Sequence, residues 1–228
     1  MSEFTKKDIL ENLELIAKKL KSSNKTADIG IYGGSAIILL WEFRKSTSDI
    51  DIIIHNGEEE IKNIAREIAI EKNYPENWLS EQVRTFTSVN YQERMFLEIP
   101  KDEPSLRIFT PTTKYLFAMK CMAMRHETDI EDVKNLIKLL KITKGEDALS
   151  IINKYYPYDV IPDRILFGIK EIMKEINLEV FPDKNVINKQ LGAPEHEDAF
   201  TKDLQNRLNK GKGKSVLKQC KVRGIVKS

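Results

Sequence analysis

Residues 30–52 read GIYGGSAIILLWEFRKSTSDIDI, and three of the ten glycines in the 228-residue chain fall in the first five positions. The reading of this stretch decides the fold. The preceding "IGIY" has the short apolar character of a strand, and Gly33-Gly34 ends it. Ser35 then opens "SAIILLWEF", which reads as a buried helix of two to three turns with Ser35 as its N-cap. After the polar "RKSTS", the run "DIDIIIH" reads as a second strand. Asp49 and Asp51 then stand at i and i+2. On a strand that spacing sends both side chains to one face, with Cα atoms roughly 6.5–7 Å apart.

Each half of the stretch has a plain structural explanation, a tight turn or an edge strand facing water. Joined, they predict an active-site corner. Gly33 and Gly34 permit positive φ and close approach of the backbone. A helix starting there points unpaired N–H groups at an anion, and the Ser35 hydroxyl can add a hydrogen bond to a phosphate oxygen. Two carboxylates on one face repel each other unless a cation lies between them, and Mg²⁺ suits a pair of carboxylates completed by substrate phosphates. Other phosphate motifs are absent: there is no G-x-x-x-x-G-K-[ST], and Gly30, Gly33 and Gly34 do not match G-x-G-x-x-G.

Outward from the corner, the chain divides. Residues 4–22 carry apolar positions at helical spacing (Ile9, Leu13, Ile16, Ala17, Leu20), and "EEEIKNIAREIAIEK" at 58–72 is an amphipathic helix with its acids at the N-terminus. "YPENWLSEQVRTF" reads as loop and short helix, and "MFLEIP" and "LRIFT" as strands joined by a turn at 101–104. From Pro111 the pattern is wholly helical: "TTKYLFAMKCMAMRH", "DIEDVKNLIKLLKI", "KGEDALSIINKYY" and "DRILFGIKEIMKEI" predict four helices. Beyond about residue 181 periodicity fades, though "DAFTKDLQNRLNK" can form one last helix. Three segments are expected: a core at 1–110, a helical domain at 111–178, and a weakly structured basic segment at 179–228.

Composition excludes several classes. With 41% hydrophobic and 32% charged residues the chain reads as globular, and its apolar runs are too short to cross a bilayer. The N-terminus mixes acids and bases through its apolar positions, unlike a secretory signal. Cys121 and Cys220 offer neither a disulfide framework nor zinc spacing, which suits a reducing cytoplasm. Three scattered histidines argue against a histidine metal site. The net charge of +2 hides an uneven distribution, since residues 204–228 hold eight Lys or Arg and no acid. Such a tail is either a solvated end or a polyanion-binding one.

The 30–52 stretch resembles the signature of the DNA polymerase β-type nucleotidyltransferase superfamily, a GS motif followed at about a dozen residues by DxD. The double glycine and "RKSTSDIDI" are similar to the bacterial branch of abortive-infection (type IV toxin–antitoxin) toxins and their uncharacterised relatives. "LFAMKCMAMRHETDIEDVKNLIKLL" resembles that branch's helical motif, a Lys, an Ala-x-Arg and paired aspartates opening the next helix.

The resemblance implies an α+β fold, a small mixed β-sheet nucleotidyltransferase core with flanking helices followed by a C-terminal helical bundle. It implies Mg²⁺-dependent transfer of a nucleotidyl group from an NTP to an acceptor hydroxyl on RNA or protein, in a cytoplasmic toxin or stress-defence enzyme with an antitoxin as a possible partner. Gly33, Gly34 and Ser35 would hold the triphosphate, Asp49 and Asp51 would ligate the metal, and Lys120 would contact phosphate or acceptor. Asp129 or Asp132 would correspond to the helical motif's aspartates, and both are expected at the nucleotide. The superfamily's third carboxylate, which activates the acceptor, falls on Glu98 in "MFLEIP". Two rival readings share these residues: an antibiotic-modifying enzyme with a small polyhydroxylated acceptor, and a nucleotide- or nucleic-acid-binding protein that lacks the base.

Overall fold

A computed structural model describes residues 3–124 and 127–176. Residues 125 and 126 of the helical motif, Cys220, the basic tail and the anticipated last helix lie outside the described residues. The elements run β1 (Phe4–Thr5), α1 (Lys6–Ser22), β2 (Ala27–Ile31), α2 (Gly33–Trp41), β3 (Ser46–Thr47), β4 (Ile50–Asn56) and α3 (Glu58–Lys72). They continue through β5 (Leu79–Ser80), a 3₁₀ turn (Gln82–Phe86), β6 (Glu93–Ile99), β7 (Leu106–Pro111), α4 (Thr113–Ala123), α5 (Glu127–Leu140), α6 (Gly145–Tyr155) and α7 (Asp163–Glu175). The protein is α+β, with a small mixed sheet followed by helices. None of the described helices is long and apolar enough to cross a membrane.

Local chemistry accounts for the helices that frame the sheet. Thr5 and Asp8 form a reciprocal capping box at the start of α1, whose apolar stripe of Ile9, Leu13, Ile16, Ala17 and Leu20 is buried. Three glutamates occupy the first turn of α3, where the helix dipole favours them, and Asn73 closes it in the left-handed conformation at φ 53°. Trp78 is fully buried and donates its indole N–H to the Ala65 carbonyl at 3.0 Å.

The five-stranded sheet has the order β5-β4-β2-β7-β6. β2 pairs antiparallel with β4 and parallel with β7, while β6 is antiparallel to β7 at the outer edge. Alternation along these strands separates two faces. Ile29, Ile31, Ile52, Ile54, Leu106 and Ile108 are buried on one side, against which α1 and α3 pack. Register places Gly30 opposite Ile53 of β4 and Phe109 of β7. The second face therefore carries Asp51, Ile53 and His55 of β4, with Gly30 on β2 and Phe109 on β7.

Four helices follow β7, as the 3.6-residue periodicity predicts. They share a core with the sheet: one continuous buried cluster includes residues from Phe4 to Met173. Tyr32 meets Tyr115 of α4 edge-on at 6.4 Å, and Tyr115 meets Tyr155 of α6 at 5.1 Å. Tyr155 and Tyr156 are buried before Pro157, their hydroxyls donating to Gln92 Oε1 at 2.8 Å and the Phe86 carbonyl at 2.5 Å.

Candidate active site

The site is built on the turn from β2 into α2. Its N-cap is Tyr32 rather than Ser35, and no side chain caps the helix. The reason is that Gly33 takes φ +58° and brings the chain into the helix two residues before Ser35. Ala36 donates to the Tyr32 carbonyl at 3.0 Å, so the amides of Gly33, Gly34 and Ser35 precede the first helical hydrogen bond. Ser35 is buried, and its Oγ donates to the Asp49 carbonyl at 3.0 Å. The hydroxyl expected to reach a phosphate instead ties the helix to the segment before β4. What remains for an anion here is backbone.

Asp51 stands on β4, but Asp49 lies in the bend before that strand, so the pleat does not set their proximity. The bend does so nonetheless. Burial, and then the charge of Asp49, push the Asp51 carboxyl up to about 6, while Lys120 and Arg44 act in the opposite direction. Asp51 also lies against the turn. A Cβ on Gly33 would come within 1.9 Å of its Oδ2, which together with the positive φ reserves this position for glycine. The phosphate-type turn and the carboxylate pair thus form one corner.

Lys120 supplies the cationic side. It projects from the apolar helix α4, is 8% exposed, and pairs with Asp129 Oδ1 at 3.0 Å and Asp132 Oδ2 at 2.8 Å. Those pairings explain how an apolar helix holds a buried ammonium. An open cleft, lined in part by Gly33, Asp51, Leu116, Lys120 and Asp129, joins the sheet's corner to the helical half. Asp132 does not line this cleft and is 1% exposed. Its Oδ2 also accepts from Arg44 Nη1 at 3.2 Å, so one buried acid holds two cations from opposite halves.

Glu98 is not brought to the aspartates. It lies on β6, with β7 and β2 between that strand and β4. Its register partner is Arg107, which grips Asp28 at 2.6 and 2.7 Å, at the end of β2 remote from the glycine turn. The acid nearer the turn end is Glu93, level with Pro111. It accepts from the Tyr32 hydroxyl and lies 2.9 Å from His55 Nε2. Burial and then that hydrogen bond push the Tyr32 phenol up. The sequence reading missed Glu93 because β6 begins two residues before the apolar run "MFLEIP", leaving Glu93 in an apparent loop. Arg44 was overlooked among the polar residues after α2.

Among the described residues no three His, Cys, Asp or Glu side chains converge as a metal cluster. The donor set nevertheless fits Mg²⁺, which characteristically takes one or two carboxylates and completes its shell with water and substrate phosphates. The raised Asp51 carboxyl beside Asp49 marks a repulsion that a bound cation would relieve. A family model described as "Nucleotidyltransferase of unknown function (DUF6036)" matches residues 8–157. No curated protein matches the chain.

Proposed function

Because the chain belongs to the DUF6036 family of nucleotidyltransferases of unknown function, we propose that it moves an NMP from an NTP to an acceptor hydroxyl with Mg²⁺ held by Asp49 and Asp51. One observation carries this reading. The space a side chain at Gly33 would fill is occupied by the Asp51 carboxylate, which sets metal ligand and phosphate turn in contact. The amides at the start of α2 hold phosphate oxygens, and Lys120 lines the same cleft as Gly33 and Asp51. Mg²⁺, when bound, neutralises charge on the phosphates and assists ionisation of the acceptor. The acceptor oxygen attacks the α-phosphorus in line and gives up its proton to solvent; its bond to phosphorus forms as the α–β bridge breaks and pyrophosphate departs.

The resemblance to abortive-infection toxins supports RNA or protein as acceptor and a defence role. The test incubates the chain and Mg²⁺ with α-labelled NTPs, offering total RNA, extract protein or aminoglycosides. Label is expected in RNA or protein and is expected to vanish in Asp49→Ala and Asp51→Ala. Label in aminoglycosides alone would make the acceptor a small molecule. NTP binding without transfer to any of the three would sink the transferase reading. Growth arrest on expression, absent in the same two variants, is the corresponding outcome for a toxin.

A further inference from the structure

We propose that Arg44 is a second triphosphate-binding residue, holding the β- and γ-phosphates with the part of its guanidinium that Asp132 leaves free. The proposal deepens the nucleotidyl-transfer reading and rests on it.

Arg44 lies in the polar segment between α2 and β3, yet its guanidinium folds back over the first turn of α2. A Cβ on Gly34 would come within 2.6 Å of Arg44 Nη1 and 2.9 Å of Thr47 Oγ1. The guanidinium thus stands beside a helix N-terminus, with the buried Asp132 as its ion-pair partner. The helix N-terminus carries partial positive charge, and α2 has no acid in its first turn to offset it. Lys120 adds a second positive charge acting on the same Asp51. Asp132 pairs with both cations, and a triphosphate would add the negative charge that the helix N-terminus and the unengaged guanidinium donors can accept.

The ion pair with Asp132 does not exhaust Arg44. Among the described residues its side chain makes one pair, through Nη1 at 3.2 Å, and is 24% exposed. A guanidinium has five N–H donors in a planar fork that matches phosphate, so donors at Nε and Nη2 remain for a bidentate contact. Asp132 shares Oδ2 between Arg44 and Lys120. It therefore fixes both cations at one spacing before nucleotide arrives, which lowers the ordering cost of binding. Lys120 stands on the helical half and Arg44 on the sheet half, so a triphosphate reaching both would bridge the two.

The test is calorimetric titration of the full chain with Mg²⁺-tripolyphosphate, the four NTPs and AMP. Arg44→Gln is expected to weaken tripolyphosphate and all four NTPs roughly 10–100-fold, the range for hydrogen bonds to a charged group. AMP binding is expected to change less than about twofold, because a monophosphate does not extend to Arg44. Arg44→Lys keeps a charge for Asp132 but loses the fork, and is expected to fall between wild type and Arg44→Gln. Gly34→Ala, whose Cβ meets the guanidinium, is expected to reproduce the selective loss. Equal weakening of AMP and triphosphates would reduce Arg44 to a structural strut and overturn the assignment. Unchanged triphosphate affinity in Arg44→Gln would overturn it too, while leaving the transferase reading intact. Failure of the wild-type chain to bind tripolyphosphate or any NTP would overturn both.

Discussion

Asp51 sits where burial and a neighbouring charge work against its ionised form. Its carboxyl is pushed up to about 6 from an ordinary 3.8, first by burial and then by Asp49. A carboxyl raised on folding stabilises the fold fully only below its unfolded value, near pH 4. That stabilisation is lost as pH rises through about 6, so at pH 8 the metal-free chain holds an ionised Asp51 at a cost. Asp51→Asn removes the charge with little change of shape. It is expected to raise the stability of the metal-free protein by about 1–3 kcal/mol at pH 8, with the gain shrinking toward pH 5. Thermal melts in EDTA at the two pH values measure this, and a gain that does not depend on pH would contradict the argument. The same change is expected to abolish nucleotidyl transfer. Ser35 shows the limit of reading residue types alone: its presence in the motif was legible, but its hydroxyl is engaged by the Asp49 carbonyl.

The decisive element is the β2–α2 turn together with β4. Its existence was legible because glycine, apolar helix and alternating aspartates each leave a local signal. The N-cap was not, since it depends on the positive φ of Gly33, which the GG pair permits but does not assign. β6 marks the opposite failure. Which acid of that strand lies near the turn depends on pairing with β7, a long-range register that no local pattern encodes. Glu98 therefore reads as a catalytic carboxylate in sequence and lies beside Arg107 in the fold. At this scale Gly33→Ala is the informative change. The new methyl needs a left-handed backbone and collides with Asp51 Oδ2 at 1.9 Å. It is expected to cost about 1–3 kcal/mol of stability and to lower metal-dependent NTP affinity at least tenfold. Chemical denaturation and calorimetry read the two effects. Retention of wild-type NTP affinity would contradict the contact between turn and carboxylate.

Across the whole molecule, the sheet half and the helical half share one core, and the cleft lies where they meet. The sequence pattern revealed the change from strands to helices near Pro111, because the hydrophobic period changes there. It did not reveal that Tyr32, Tyr115 and Tyr155 pack against one another across the change, or that Asp132 ties Arg44 to Lys120. Those contacts join residues distant in the chain, and each side chain alone has an ordinary local explanation. They set Lys120 of the helical half in the same cleft as Asp51 of the sheet, so the proposed function requires metal and nucleotide to share one site. The most direct measurement is the affinity of the chain for a non-hydrolysable NTP with and without Mn²⁺, a stand-in for Mg²⁺, in wild type and in Asp51→Asn. A single site predicts that Mn²⁺ raises wild-type affinity at least tenfold and changes the variant's by less than about twofold. Equal enhancement of both proteins by Mn²⁺ would contradict it.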